Sequence, residues 1–274
     1  MLQRQTTADG IVFNASPLLR AAGVPHAFST RAGGVSPPPF DSMNLGNPNG
    51  CDARDDYENV WANYRRLQAA AGCGAERELC RVHQVHGGGV VRARPGRPFD
   101  TAAKADAIVG DDPARVLSVR VADCVPVLLA TADGRAAAAV HAGWRGVIAG
   151  VVAAAVGELL ALRDGLPEHT AASLLAAIGP CIGGGAFEVG PEVLAEFDRA
   201  FGAEAPARRR PDGKGYVDLR AAVRLHLVRA GVADGQIDTT DRCTHRDADE
   251  FFSHRRDNGV TGRMAAIISP APAA

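Results

Sequence analysis

Short apolar runs separated by turn residues set the first divisions of the chain. Residues 116–121 (VLSVRV) alternate imperfectly and are rich in β-branched side chains, which predicts a strand. Residues 125–131 (VPVLLAT) are almost wholly apolar, the pattern of a strand buried on both faces. Asp133-Gly134 predicts a turn and residues 136–141 (AAAAVH) the returning strand, so the two form a hairpin. Residues 142–146 (AGWRG) lead into an alanine-rich stretch that predicts one long helix reaching about Arg163. A short strand at 174–178 stops at Gly179-Pro180. Helices follow at 191–201, where Pro191 suits the first helical position, and at 218–230; residues 264–269 form a last strand. Upstream, Asp55 and Asp56 offer capping carboxylates to an amphipathic helix that runs to about Ala71 and ends at Gly72. Residues 29–49 (STRAGGVSPPPFDSMNLGNPN) predict a long structured loop, because the prolines forbid helix and discourage strand. The mixture predicts an α/β (α+β) fold: a single layered domain over residues 1–274, with a mixed sheet core and flanking helices. The hairpin argues against a plain βαβ repeat.

Composition narrows the function classes. Lys plus Arg total 30 against 31 Asp plus Glu, a formal charge of −1, so neither nucleic acid nor an anionic membrane is an expected partner. The first residues carry no apolar segment with a small-residue cleavage site, and the longest uncharged apolar stretch, 147–157, is too short to cross a bilayer. A cytoplasmic protein is expected, with its six cysteines mostly thiols. None of them forms a CxxC pair, and neither Gly87–Gly89 nor the segment GPCIGGG has the ending of a phosphate-binding P-loop.

Three polar residues stand at the ends of apolar stretches: His86 in Gln84-Val85-His86-Gly87, Cys124 in Ala122-Asp123-Cys124, and His141 in His141-Ala142-Gly143-Trp144-Arg145-Gly146. One Cys and two His are a sufficient set for a catalytic zinc, leaving a fourth position for water or substrate; thiolate and imidazole suit copper equally. Against this, a buried Cys is often a plain core residue and a strand-end His a hydrogen-bonded structural group. His83 lies three residues from His86; on a strand the two would face opposite sides, so only one would enter a site. Arg31, a lone cation in a loop of small residues, is a candidate for anion or substrate contact. The Ser253-His254-Arg255-Arg256 run could hold a phosphate or be a solvated basic loop. Asp123 is a general acid/base candidate or, more in keeping with its apolar neighbours, a structural acceptor.

Taken together, motifs along the chain make a specific pattern: Ser29-Thr30-Arg31-Ala32-Gly33-Gly34, Asn44-Leu45-Gly46, QVHG at 84–87, Ala105-Asp106-Ala107, ADCVP at 122–126, HAGWRG at 141–146, Ile178-Gly179-Pro180-Cys181, Phe187-Glu188-Val189-Gly190 and Cys243-Thr244 with FSHRR at 252–256. In these the chain resembles the YfiH family, also described as polyphenol oxidase (laccase)-like, peptidoglycan editing factor and purine nucleoside phosphorylase. The resemblance implies a fold similar to the catalytic domain of the cytotoxic necrotizing factor toxins. It implies zinc, or copper, held by His86, Cys124 and His141, with Cys124, His141 and Asp123 as catalytic candidates. Arg31, Asn44, Arg145, Ser253 and Arg255 are the substrate-binding candidates. The implied activities are phosphorolysis of adenosine, inosine and methylthioadenosine, adenosine deamination, copper-dependent phenol oxidation and editing of cell-wall precursors. The expected partners are therefore purine nucleosides and phosphate. A four-copper oxidase needs about ten His ligands, and the chain has eight His in all. A metal-free Cys124–His141 amide hydrolase is the other alternative.

Overall fold

The computed structural model describes residues 1–48, 52–162 and 170–272. The ends of two expected features, Asn49 in the long loop and Arg163 in the alanine-rich helix, lie outside these residues, as does Cys51.

Two six-stranded mixed sheets lie face to face. Edge to edge, the first is built of Gln3–Thr6, Val12–Ala15, His26–Ser29, Met264–Ile268, Arg115–Val121 and Glu78–Cys80. The second is Ile237–Asp238, Leu175–Ile178, Val125–Ala130, Ala137–Ala142, Ala107–Gly110 and Val90–Ala93. Between them one apolar layer joins Phe28, Leu117, Val119 and Ala266 to Ile108, Leu128, Ala139 and Ala177. The outer face of the first sheet, with Phe13, Val116 and Ile267, packs on Val60, Tyr64 and Leu67 of the Tyr57–Ala70 helix. The outer face of the second, with Val127, Leu129 and Val140, packs on Val152, Val156 and Leu159 and on the helices Pro191–Phe201 and Leu219–Arg229. Helix, sheet, sheet and helices therefore make four layers, a layered fold with a mixed sheet core and flanking helices as expected, with that core divided between two sheets. This explains the unbroken apolar run at 125–131: alternate side chains serve two different cores, so every residue of Val125–Ala130 is buried.

The expected hairpin is present, with Val125–Ala130 antiparallel to Ala137–Ala142 and Gly134 at φ +71° in the turn. The long helix expected after residue 142 is two helices, Trp144–Ile148 and Val151–Ala161. Gly150 separates them at φ +78°, a left-handed conformation that glycine adopts without a Cβ penalty. Helix starts follow capping chemistry: Asp56 accepts from the Glu58 amide and Asp218 from the Ala221 amide. No helix among the described residues is long and apolar enough to cross a membrane.

Candidate metal centre

The connection Ala122–Cys124 carries the chain from the first sheet to the second, and Asp123 makes the crossing at φ +86°. Cys124 thus emerges just before Val125. Across the ladder Val125 faces Ala142 and Pro126 faces His141, so the strand pairing itself brings Cys124 and His141 together. His86 comes from the loop between Glu78–Cys80 and Val90–Ala93, where its own φ is +60°.

One fully buried carboxylate organises this meeting. Asp106 stands immediately before the Ala107–Gly110 strand and is 0 % exposed. Its Oδ1 accepts from the His86 amide at 2.9 Å, and its Oδ2 from the Gly87 amide at 2.7 Å and the Val85 amide at 3.3 Å. The same Oδ1 lies 2.8 Å from His141 Nδ1. With Nδ1 so engaged, His141 presents Nε2 to the centre, the arrangement in which a carboxylate orients a metal-binding imidazole. Burial opposes ionisation of Asp106, but its hydrogen bonds from His141, Gly87 and His86 outweigh this and hold it below the usual carboxylate range. Sequence spacing offered no route to Asp106. Its only signal was the Ala105-Asp106-Ala107 motif directly ahead of a strand.

The ligand atoms of His86, Cys124 and His141 all lie within 4.8 Å of one another. The two imidazole rings meet edge to face, with centroids 4.9 Å apart. Burial pushes the Cys124 thiol up, but the adjacent His141 and His86 outweigh it and bring the thiol down to about 6. Burial likewise opposes charging of His141, yet Cys124 and Asp106 raise it to about 9. Gly143 is required for the approach: a Cβ there would lie 2.9 Å from His86 Cδ2 and 3.0 Å from Cys124 Sγ. Two imidazoles and a readily ionised thiol, close enough to share one ion at ~2.0–2.3 Å and open to a cavity on one side, form a donor set that fits zinc or copper.

The cavity above this cluster has a volume of about 610 Å3 and is markedly cationic. Arg54, Arg120, Arg145, Arg255 and Arg263 line it, and among the described residues Asp123 is the one carboxylate of its lining. Arg145 lies over the Trp144 ring at 4.3 Å, and Arg255 over Phe187 at 5.2 Å while donating to the Glu188 carbonyl at 2.9 Å. His83 shares the cavity with His86: it makes an isolated bridge with Lys104, the chain then bends at residues 86–88, and no continuous strand joins the two, so the expected alternation of faces does not apply. Gln84 fixes that turn to the first sheet through both backbone groups of Arg120.

Asp123 braces the site. Its Oδ1 accepts from Thr244 Oγ1 at 2.6 Å and its Oδ2 from the Arg255 amide at 2.7 Å. Three of the expected substrate residues are not brought to the cavity among the described residues. Arg31 is spent on the Asp41 carboxylate, the Asp41 and Ala248 carbonyls and the face of Phe252. Asn44 is fully buried, donating to Asp55 and accepting from the Gly46 and Arg263 amides. Ser253 is also fully buried, its hydroxyl accepting from the Arg256 amide. All three shape loops behind the cavity wall. Cys181 and Cys243 pair through a backbone bridge behind the site, and burial pushes the Cys181 thiol up to about 12.

The family described as "Multi-copper polyphenol oxidoreductase laccase" matches residues 25–271. The chain belongs to this family, the YfiH family. Family relatives include a protein of Deinococcus radiodurans named purine nucleoside phosphorylase, 41% identical over 265 residues that cover 96% of this chain and 94% of that one. Another is the Escherichia coli protein named purine nucleoside phosphorylase YfiH, 41% identical over 247 residues, covering 90% and 93%. The crystal structure of YlmD from Geobacillus stearothermophilus superposes with a TM-score of 0.83 at 32% identity, covering 98% of this chain and 99% of that one.

Proposed function

We propose that the chain is a zinc-dependent purine nucleoside phosphorylase acting on adenosine, inosine and methylthioadenosine, with adenosine deamination as a second activity. On this reading residues 1–274 work as one cytoplasmic catalytic domain on small-molecule substrates. The observation that carries it is a His86–Cys124–His141 donor set at the floor of a cation-lined cavity, in a chain whose relatives bear the name purine nucleoside phosphorylase.

His86, Cys124 and His141 would hold the ion. Zinc when bound supplies Lewis-acid polarisation and lowers the pKa of water. In phosphorolysis a phosphate oxygen bonds to C1′ of the ribose as the bond from C1′ to the base nitrogen breaks, and the departing base takes up a proton. Arg145 and Arg255, both in the cavity lining, would grip the phosphate, since the planar guanidinium suits two of its oxygens at once. Trp144 and Phe187 support the two guanidinium planes through cation–π contact. Asp106 keeps His141 in a single tautomer throughout, and Asp123 keeps the Arg255 backbone in position.

The test combines metal analysis of protein purified without chelator with turnover of adenosine and inosine, with and without phosphate. Stoichiometric zinc with phosphate-dependent release of free base is the expected result. Phosphate-independent inosine formation from adenosine reports the deaminase. Absence of both reactions in zinc-replete protein overturns the reading.

One observation favours a second reading. A thiol lowered to about 6 beside an imidazole raised to about 9, with Asp106 behind the imidazole, also describes an activated nucleophile, its base and an orienting group. That arrangement would serve a metal-free amide hydrolase, including one that edits cell-wall precursors. Such an enzyme keeps full activity in excess chelator.

A further inference from the structure

A second cavity of about 390 Å3 adjoins the first, sharing Tyr57, His83 and Arg120 as a common wall. Its remaining lining includes Arg81, Lys104 and Thr101 and, among the described residues, no Asp or Glu. Arg31, Arg66, Arg92 and Arg115 elsewhere in the chain each have a carboxylate partner within 4.0 Å. Among the described residues Arg81, Lys104 and Arg120 have no ion pair. Arg81 is held flat, its guanidinium 4.4 Å from the Trp61 ring and 5.4 Å from that of Tyr64, and its buried Nε has no hydrogen-bond partner. Arg120 is held as well, since Gly46 packs so closely on it that a Cβ there would lie 2.8 Å from its Cδ. Pre-placed cations without counter-ions, one carrying an orphaned buried donor, have an electrostatic reason to take an anion.

We propose that this second cavity is an anion subsite that receives the phosphate of a phosphorylated nucleoside whose base and sugar occupy the metal-floored cavity. The proposal rests on the nucleoside reading of that first cavity. The three shared residues stand at the boundary of the two spaces, and Arg81 and Lys104 line only the smaller one while Arg145 and Arg255 line only the larger. A phosphate monoester at the far end of the substrate therefore meets Arg81 and Lys104 without competing for the phosphate co-substrate. The smallest such substrate is a nucleoside 5′-monophosphate. The donor types suit such a group: the Thr101 hydroxyl would donate to one phosphate oxygen and the Arg81 guanidinium to others.

The experiment is equilibrium binding to the zinc-loaded protein of three probes: adenosine, adenosine 5′-monophosphate and inorganic phosphate. Arg81→Gln and Lys104→Gln are compared with the unaltered chain. Both residues line only the second cavity, and Lys104→Gln leaves the Trp61 and Tyr64 packing untouched. Adenosine 5′-monophosphate is expected to bind at least tenfold more tightly than adenosine, and each variant to lose most of that advantage while its adenosine affinity stays within twofold. Equal affinities in the unaltered chain, or an advantage that survives both variants, overturn the proposal. Inorganic phosphate that loses binding in the variants, without any preference for the monophosphate, assigns the cations to free phosphate and overturns it too. A preference for the monophosphate in a protein that turns over no nucleoside supports the subsite while removing the phosphorylase reading.

Discussion

Asp106 concentrates more of the site's geometry than any other side chain. It receives three backbone amides of the His86 turn and the Nδ1 of His141, so two of the three donors depend on one buried carboxylate. Asp106→Asn keeps the size but replaces an acceptor oxygen with an NH2 that faces donors. Outer partners of metal-binding imidazoles are typically worth 10–100-fold in metal affinity. A loss of that size is expected, read by competition with a chromogenic chelator, and an unchanged affinity would show that the carboxylate only shapes the turn. Cys124 separates the two functional readings. As a ligand, its loss in Cys124→Ala lowers zinc content and activity together, and excess zinc restores part of both through His86 and His141. As a nucleophile, its loss ends turnover at any zinc concentration. Partial recovery in a zinc titration supports the phosphorylase reading; none, together with chelator-resistant activity of the unaltered chain, supports the hydrolase.

At the scale of elements, the break at Gly150 carries a clean prediction. The helices Trp144–Ile148 and Val151–Ala161 meet at a left-handed residue, and a Cβ there finds nothing within 4 Å. Gly150→Ala therefore adds backbone strain without a clash, about 1–2 kcal/mol. For a chain of this size that lowers Tm by about 2–4 °C per kcal/mol. Metal affinity should be unchanged, because Gly143 and His141 lie on the other side of the first helix. A thermal melt beside a metal titration checks both halves. The same break shows what the sequence conceals. Alanine periodicity reads through Gly150 because a lone glycine in a helical pattern is also tolerated there, and only its φ in the folded chain separates the two cases. Strands with a face in each of two cores, such as Val125–Ala130, were legible because burial removes their polar positions. His26–Ser29 and Val90–Ala93, four residues each, were not, because so short a segment shows no period. The site was legible in its chemistry and not in its scaffold. His86, Cys124 and His141 stand beside recognisable turns, whereas the roles of Asp106 and His83 depend on a loop folded back by positive φ. Arg31, Asn44 and Ser253 carry polar groups that sequence reads as available and the fold consumes internally.

The two sheets are tied together at one edge by a buried polar cluster, which predicts that the stability of the whole molecule is sensitive to acid. His26, on the first sheet, accepts from the Ser16 amide at Nε2 (2.7 Å) and, 2.8 Å away, donates from Nδ1 to the Val24 carbonyl. Ser16 caps the Pro17–Ala21 helix and donates to Asp238, on the edge strand of the second sheet. Both ring nitrogens of His26 are thus committed to its neutral form. Burial lowers it from 6.5 to about 4; the Val24 bond and Asp238 oppose that shift and Arg20 adds to it. Between those two values the unfolded chain binds a proton at this site and the folded chain does not. Stability therefore rises with pH through this window, and the cost of acid is complete below pH 4. At 1.36 kcal/mol per pKa unit the full difference is about 3 kcal/mol. His26→Gln offers one acceptor and one donor but cannot take up the proton. Urea unfolding at pH 7 and pH 4.5 should show the unaltered chain losing more stability than the variant, by up to about 3 kcal/mol. The comparison is made between two chains at each pH, so carboxylates that do not act on His26, Asp247 and Asp257 among them, contribute to both and cancel. Parallel losses in the two chains would show that His26 is not the proton acceptor and that the acid sensitivity of the sheet-to-sheet edge resides elsewhere.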